Sequence, residues 1–278
     1  MDYTCFEVVS DEGVVEIRFS RPDELNSMIP AFWNELPQLV RSLDDGTTRC
    51  IIVSSTGKHF TAGMDLSVFG GGLDSSGDEV EIGRARARLR QLVLVLQESF
   101  TAFERVRIPV LAAIQGGCVG GGVDLVTACD CRYATADAFF VVAEVNIGMT
   151  ADVGTLQRLP KIIPEGVARE LAYTGRRMSA PRALEVGLVN EVFADQDEML
   201  DGVRQIAREI ASKSPLAVWG TKQMLNFSRD HSVADSLDYM ASWQSGMFQP
   251  GDMVESMTAK GEGREPNYPD LLGPPEGI

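Results

Sequence analysis

The sequence predicts an α/β fold with a helical C-terminal region, on three observations. Short apolar runs typical of buried strands alternate with segments of helical periodicity in the first half of the chain. Helical patterns dominate from Leu156 onward. The chain has 278 residues, 44% of them hydrophobic, enough for a large core without disulfides. No repeat or linker divides it, so we expect an α/β core over 1–200 that carries the site and a helical region with its tail over 201–278.

The elements of the first half alternate between strand and helix. Apolar runs bounded by turn residues predict two strands in 6–19 around a turn at 11–13, and further strands at 49–54 and 110–114. Between them lie a helix at 30–43, a strand-to-loop segment at 57–66, a flexible loop at 70–78 and a long helix at about 79–105.

The later elements are mostly helical. A helix is predicted at 123–131, a strand from Tyr133 and a strand with a loop at 139–149. The helical patterns that follow cover 165–175, 180–187, 195–213, 214–227 and 232–248. We expect the segment from Gly251 to be loosely held, because it is rich in turn-forming residues and lies at a terminus.

Charge and cysteine content exclude several classes of protein. The net charge of −15, from 25 Lys+Arg and 40 Asp+Glu, disfavours binding to nucleic acid or to an anionic membrane. The five cysteines form no CxxC pair and only two histidines are present, so we expect free thiols and no zinc site. We find no secretory signal, transit sequence, peroxisomal tripeptide or membrane span, and expect a cytoplasmic protein.

The stretch IQGGCVGGGVDL, residues 114–125, places five glycines between a predicted strand and a predicted helix. It lacks the G-x-G-x-x-G register and the lysine of nucleotide-binding loops. Exposed N–H groups at a helix N-terminus favour an anion, so the stretch is half of an oxyanion hole if the ligand is an acyl carbonyl that becomes an enolate. The alternative is close helix packing, for which one or two glycines usually suffice.

A second candidate donor lies in the segment Ala62-Gly-Met-Asp-Leu66. Taken alone, the segment is a strand-to-helix turn with Asp65 as a helix cap. Taken with the glycine stretch, it supplies an N–H from another part of the chain, and two converging donors are what an oxyanion hole requires.

Three acids follow the glycine stretch. Asp124 is in the first turn of the predicted helix, where the helix dipole favours the charged form. Glu144 lies in an apolar run, so burial should raise its pKa towards the range useful for a general acid or base, unless it pairs with an arginine. Asp152 precedes a helix, and N-capping is its ordinary explanation.

Four other features have ordinary structural explanations. Arg84, Arg86, Arg88 and Arg90 fall on two sides of a helix, which favours solvated or subunit-interface positions over a phosphate site. We expect a structural role for His231 and a small buried side chain at Cys118. Lys222 either approaches a phosphate group of a ligand or simply faces solvent, as many lysines do.

Several long motifs resemble the enoyl-CoA hydratase/isomerase (crotonase) superfamily. They are FTAGMDL, AAIQGGCVGGGVDLVTACDCRYA and AEVNIGMTADVGTLQRLP, with SKSPLAV, FSRDHSV and SLDYMASW in the helical part. Within that superfamily the chain looks most like the Δ3,5-Δ2,4-dienoyl-CoA isomerases, which act on unsaturated acyl chains in β-oxidation. The resemblance implies a crotonase-like ββα spiral core with a helical C-terminal oligomerisation layer.

The resemblance also implies site residues. The oxyanion-hole N–H groups fall on Met64 and Gly121, and a segment lining the coenzyme A thioester comprises Ala62, Gly63, Met64, Asp65 and Leu66. The acid pair falls on Asp152 for the C2 proton and Glu144 for the C6 proton, with Asp124 as a third acid in the pocket. No metal or redox cofactor is implied, since coenzyme A is part of the substrate.

Two alternatives stay open. An enoyl-CoA hydratase would use Asp124 and Glu144, and a non-catalytic member would bind acyl-CoA or RNA, which the negative charge disfavours. The resemblance further implies a homotrimer or homohexamer. The stretch 70–90 is this chain's own and leaves the length of the acyl tail open.

Overall fold

The computed structural model describes residues 3–65, 68 and 82–275, and a six-stranded sheet lies at its centre. The strands are β1 (Phe6–Asp11), β2 (Val14–Phe19), β3 (Cys50–Ser55), β4 (Val110–Ile114), β6 (Cys131–Thr135) and β9 (Glu191–Phe193). Their order is β1-β2-β3-β4-β6-β9. The hairpin β1–β2 is antiparallel and every later pair is parallel. Parallel neighbours require crossover connections, which the helices between them provide.

A smaller sheet is built from the segments that follow the central strands. It has the order β5-β7-β8, with β5 (Gly117–Val119), β7 (Phe139–Val141) and β8 (Met178–Ser179). The chain passes from the large sheet to the small one after β4 and again after β6. A strand in each sheet followed by a helix is a ββα unit, and this architecture confirms the predicted fold class.

Ten helices of the described chain surround these sheets. They are α1 (Pro30–Ser42), α2 (Ile82–Arg105), α3 (Gly121–Ala128), α4 (Thr155–Arg158), α5 (Glu165–Thr174), α6 (Ala180–Glu185), α7 (Gln196–Ala211), α8 (Pro215–Ser228), α9 (Val233–Met247) and α10 (Pro250–Glu262). Helices α7, α8 and α9 each begin at a side-chain cap. Asp195, Ser214 and Ser232, respectively, accept a hydrogen bond from a backbone amide of the first turn.

The inner strands β3 and β4 of the large sheet are buried on both faces, as their apolar runs predict. Because side chains alternate along a strand, Ile51 and Val53 of β3 join the main core, which includes the buried rings of Phe19, Phe32 and Phe100. Ile52 points to the opposite face, where it joins a second cluster with Met199, Val203 and Ala207 of α7. Helix α7 spans residue 200, and the division into 1–200 and 201–278 stays a prediction.

The expectation of a loosely held segment from Gly251 is wrong. Residues 250–262 form helix α10, in which Ala259 is buried. The segment after it is fixed by Arg49, which donates to the Asp270 carboxylate at 2.7 Å and to the Tyr268 carbonyl at 2.9 Å. Arg49 and its two partners are far apart in sequence, so composition alone could not predict these hydrogen bonds.

Some boundaries also differ from the prediction. The helix predicted at 123–131 ends at Ala128, because Cys131 already pairs with β4 as the first residue of β6. The short strands β8 and β9 were not predicted. The predicted loop at 70–78 lies outside the described residues, and the long helix is described from Ile82.

In the described part of the chain no helix is both long and apolar enough to cross a membrane. The same residues contain no group of three or more histidine, cysteine or acidic side chains that could hold a metal ion. All five cysteines are free thiols.

Candidate active site

The glycine stretch forms the sharp turn between β5 and α3. Gly120 has φ +53°, a conformation in which a Cβ is strained, and its N–H donates to the Val141 carbonyl at 2.9 Å. A Cβ on Gly120 would also lie 3.3 Å from Glu144 Oε1. Gly121 is the first residue of α3, so its amide has no acceptor within the helix. The turn therefore places the amide end of α3 next to a carboxyl group.

The neighbouring glycines also satisfy the packing interpretation. A Cβ on Gly121 would lie 3.0 Å from Met28 Sδ, and one on Gly122 would lie 2.5 Å from Thr61 Cγ2. Bare backbone is thus needed for close packing at the start of α3.

The segment 61–65 runs beside this turn. Thr61 forms a parallel bridge with Cys118, and Met64 forms one with Met28. Gly63 has φ +86°, and a Cβ there would lie 2.6 Å from the Val119 carbonyl oxygen and 3.5 Å from the Gly121 nitrogen. The two segments predicted to supply the oxyanion donors are therefore adjacent.

Within this segment the Met64 amide differs from its neighbours in its hydrogen bonding. Its neighbours donate to acceptors inside the protein: Ala62 to Leu25 O, Gly63 to Thr61 Oγ1 and Asp65 to Met28 O. Among the described residues, no acceptor for the Met64 amide is found. Asp65 accepts a hydrogen bond from Ser27 Oγ at 3.0 Å. Leu66, the remaining residue of the predicted coenzyme A segment, lies outside the described residues.

Asp124 is fully buried in the first turn of α3. Its Oδ1 accepts the Thr155 amide at 2.5 Å, whereas its Oδ2 has no hydrogen-bond partner in the described structure. Burial, with a contribution from Glu144, raises the pKa of Asp124 to about 7. We expected the helix dipole to favour the charged form, and this is a correction, because the loss of hydration outweighs the dipole.

Glu144 begins a single turn of 3₁₀-helix, Glu144–Ile147, after β7. Its Oε1 faces Gly120, and its buried Oε2 has no hydrogen-bond partner among the described residues. Burial raises the pKa of Glu144, and the nearby Asp152 adds to the rise. The prediction that the apolar run would raise this pKa is confirmed, and no arginine pairs with Glu144 in the described part of the chain.

Asp152 lies in the loop before α4, and its side chain is half-buried. Burial raises the pKa of Asp152 as well. The capping explanation for this residue is wrong, because Gly154 occupies the N-cap position of α4 and the first amide of that helix is bound by Asp124.

The three carboxyl groups act on one another electrostatically. Both Glu144 and Asp152 raise the pKa of Asp124, and Asp152 raises that of Glu144. Groups coupled in this way share protons instead of ionising independently. The cluster can therefore hold a proton on one carboxyl group while another is charged, beside two amides suited to an oxyanion.

None of the other predicted residues adds an acid or a base to this cluster. Lys222 is buried, pairs with Asp130 at 2.9 Å and donates to the carbonyls of Phe103 and Ile108, so both of its predicted roles are wrong. His231 stacks on Phe227, and Cys118 is fully buried, in line with the structural roles expected of them. Arg84, Arg86, Arg88 and Arg90 are all exposed on α2.

Two residues of the site were not predicted. Thr155 donates its amide to Asp124, and Gln97 of α2 donates its side-chain amide to the Asp152 carbonyl at 2.7 Å. One bond uses a backbone N–H, and the other joins residues 55 positions apart. Neither carries a signal that sequence spacing could reveal.

The chain is similar in sequence to proteins of known name. The model of the enoyl-CoA hydratase/isomerase family matches residues 10–271. A curated human protein, Delta(3,5)-Delta(2,4)-dienoyl-CoA isomerase, mitochondrial, is 48% identical over 267 residues, which cover 95% of this chain and 81% of that protein. The peroxisomal protein of the same name from Arabidopsis thaliana is 42% identical over 273 residues, or 97% of this chain and 98% of that protein.

A solved structure shares the fold. The crystal structure of enoyl-CoA hydratase from Bacillus anthracis matches with a TM-score of 0.85 and 30% sequence identity, covering 96% of this chain and 99% of that one. The comparisons also contradict the expected cytoplasmic location, because the dienoyl-CoA isomerases that this chain resembles are mitochondrial or peroxisomal proteins.

Proposed function

The chain belongs to the enoyl-CoA hydratase/isomerase family, and from this premise we propose that it is a Δ3,5-Δ2,4-dienoyl-CoA isomerase of fatty acid metabolism. The observation that carries the proposal is the cluster of Asp124, Glu144 and Asp152, in which burial raises all three pKa values beside the turn at Gly120. Its relatives at 42–48% identity bear the name of this activity.

The thioester oxygen would be bound by the amides of Met64 and Gly121. Charge develops on this oxygen when a proton leaves C2, and donors fixed in advance stabilise it without reorganisation. Removal of one such donor typically costs about 2.7–4 kcal/mol of barrier. The proximity of Gly63 to the Gly121 nitrogen supports the pairing of these two amides.

Proton transfer would use two carboxyl groups. Asp152, as the carboxylate, takes the proton from C2, and the electrons of that C–H bond form a conjugated enolate along the acyl chain. Glu144, as the neutral acid, delivers a proton to C6, which leaves double bonds at C2 and C4. The two carbons lie several ångströms apart, so two separate groups with different environments suit the reaction.

Asp124 supports this pair in the proposal. Its bond to the Thr155 amide fixes the start of α4, three residues after Asp152. Any negative charge on Asp124 also disfavours a second charge on Glu144, which helps to keep Glu144 protonated.

The hydratase alternative is not favoured. It would need Asp124 and Glu144 to act together on a water molecule, and it leaves Asp152 without a role. The isomerases are also more similar in sequence, at 42–48% identity, than the crotonyl-CoA hydratase of Syntrophomonas wolfei at 30%.

The substrate in this proposal is an acyl-CoA thioester held by Ala62, Gly63, Met64, Asp65 and Gly121, together with Leu66. The proposal requires no metal or redox cofactor, because carboxyl groups carry out both proton transfers, backbone amides stabilise the oxyanion and the reaction oxidises nothing. We also propose a homotrimer or homohexamer, which is supported by apolar side chains exposed on the C-terminal helices, among them Val233, Leu237, Val254 and Met257.

Turnover of 3,5-dienoyl-CoA by the purified protein tests the function. The 2,4-dienoyl product absorbs at longer wavelength, so activity appears as a rise in absorbance there, measured over a series of acyl chain lengths. Asp152→Asn and Glu144→Gln should each lower kcat by about 10²–10⁴. Asp201→Asn, at an exposed acid of α7, is the matched control. A second assay supplies 2-enoyl-CoA, and loss of its absorbance by hydration, without isomerisation of 3,5-dienoyl-CoA, would favour the hydratase.

A further inference from the structure

The loop that carries Asp152 is held by side chains from other helices. Gln97 is half-buried on α2, and its Nε2 donates to the Asp152 main-chain carbonyl at 2.7 Å. The Gln97 carbonyl in turn accepts the Thr101 hydroxyl at 2.9 Å, one helical turn further along. The bond therefore ties the Asp152 backbone to the interior of a 24-residue helix.

An ion-pair network built on the same helix also contacts this loop. Arg158 Nη1 lies 3.4 Å from the Val153 carbonyl, and Nη2 donates to Thr101 Oγ1 at 3.1 Å and to Glu104 at 2.6 Å. Glu104 also pairs with Arg229 at 2.7 Å, and these bonds lower the pKa of Glu104. The network leaves Gly154 no room for a Cβ, because the Arg158 guanidinium fills that position.

We propose that Gln97 is a positioning residue for the C2 proton transfer: its amide fixes the Asp152 backbone so that the carboxyl group stays aligned with the substrate. This inference rests on the proposed function. Gln97 donates to the main chain of Asp152 and acts only through it, so it is not a catalytic residue. General-base transfer depends on alignment, and a displacement of about 1 Å can cost on the order of 10²-fold in rate.

The direct contact makes a specific prediction about coupling. Because Gln97 acts through the Asp152 carboxylate, its contribution to kcat should vanish once that carboxylate is removed. A residue that merely stabilises the fold would lower activity by the same factor in either background. A double-mutant cycle separates these two cases.

The experiment compares Gln97→Met with Gln91→Met, each alone and combined with Asp152→Asn. Gln91 is an exposed glutamine on the same helix, so it controls for the substitution itself. In the otherwise unaltered protein, Gln97→Met should lower kcat by about 10- to 100-fold. KM and Tm should remain those of Gln91→Met. In the Asp152→Asn background, Gln97→Met should cause no further loss.

Two results would overturn the inference while leaving the function intact. One is an unaltered kcat in Gln97→Met, and the other is an equal loss of kcat with and without the Asp152 carboxylate. Failure of the unaltered protein to isomerise any 3,5-dienoyl-CoA would instead refute the proposed function, and the inference with it.

Discussion

Asp124 is the residue for which burial has the largest consequence in the site. Its side chain is fully buried, one oxygen accepts the Thr155 amide, and the other has no partner in the described structure. Ionisation of a buried carboxyl group is unfavourable, because the charged form loses its hydration and a single hydrogen bond does not replace it. Its pKa of about 7 therefore makes the folded state prefer the protonated acid.

This preference predicts how Asp124→Asn changes stability with pH. Because the folded pKa lies above the ordinary 3.8, the unfolded chain releases this proton first as pH rises. The native state then loses stability between pH 3.8 and about 7, by on the order of 4 kcal/mol. Asparagine can still accept the Thr155 amide and never ionises.

The variant should thus have a higher free energy of unfolding than the unaltered protein at pH 8, and the difference should shrink towards zero near pH 4. Urea denaturation at several pH values measures it. A difference that does not depend on pH would contradict the account of Asp124.

The properties of a single residue could be predicted from the sequence where its neighbours in the chain determine them. The apolar neighbours of Glu144 are adjacent in the chain, so its raised pKa could be predicted. The side chain that binds the first amide of α4 could not be predicted. It belongs to Asp124, 31 residues away, and not to the adjacent Asp152. The predictions for Lys222 were wrong for the same reason: its partners Asp130 and Phe103 are distant in sequence, and only the fold brings them to Lys222.

Among the elements, α8 illustrates how a C-terminal helix is tied to the core. Lys222 reaches from α8 to the end of α2, where it donates to the Phe103 and Ile108 carbonyls at 2.7 and 2.8 Å and pairs with Asp130. It thereby satisfies carbonyls that a helix end leaves free and neutralises Asp130. One buried ammonium group joins three segments.

We predict that Lys222→Met lowers the free energy of unfolding by about 2–4 kcal/mol, because it removes the charge partner of Asp130 and the donor to two carbonyls. Lys260→Met, at an exposed lysine of α10, should change it by less than about 0.5 kcal/mol. Chemical denaturation of both variants is the measurement. Equal stabilities would show that the buried pair contributes nothing.

Elements with a strong periodic pattern were predictable, and those defined by distant contacts were not. The strands β3 and β4 were found within about one residue of their bounds, since both are buried and continuously apolar. The strands β8 and β9 have two and three residues, too few to show a period. Helix α10 was missed because its glycines at 251 and 261 argue against a helix that tertiary contacts nevertheless stabilise.

At the scale of the whole molecule, the two sheets explain where the site lies. The chain leaves the large sheet after β4 and enters the small one at β5, and the turn at Gly120 follows immediately. The same crossing after β6 leads through β7 to Glu144. Successive units thus bring the oxyanion donors and the acids to one place, although Asp152 is 88 residues from Met64 along the chain.

The exposed apolar residues of the C-terminal helices make a prediction about assembly. If this surface joins subunits, sedimentation should give three or six times the mass of one chain. Leu237→Glu, at a side chain 66% exposed on α9, should lower that mass, because it places a charge in an apolar interface. Sedimentation of the unaltered protein as a single chain would refute the proposed trimer or hexamer.

The central claim, that Asp152 removes the C2 proton and Glu144 protonates C6, is tested most directly by hydrogen exchange into substrate. 3,5-Dienoyl-CoA is incubated in D₂O with each variant, and deuterium at C2 is measured by mass spectrometry, with a sample lacking enzyme as background. Glu144→Gln should incorporate deuterium at C2 faster than background while forming little 2,4-dienoyl product, because the half-buried Asp152 still exchanges its proton with solvent. Asp152→Asn should show C2 exchange close to background and only its low residual rate of product formation. Exchange retained by Asp152→Asn and lost in Glu144→Gln would contradict the assignment.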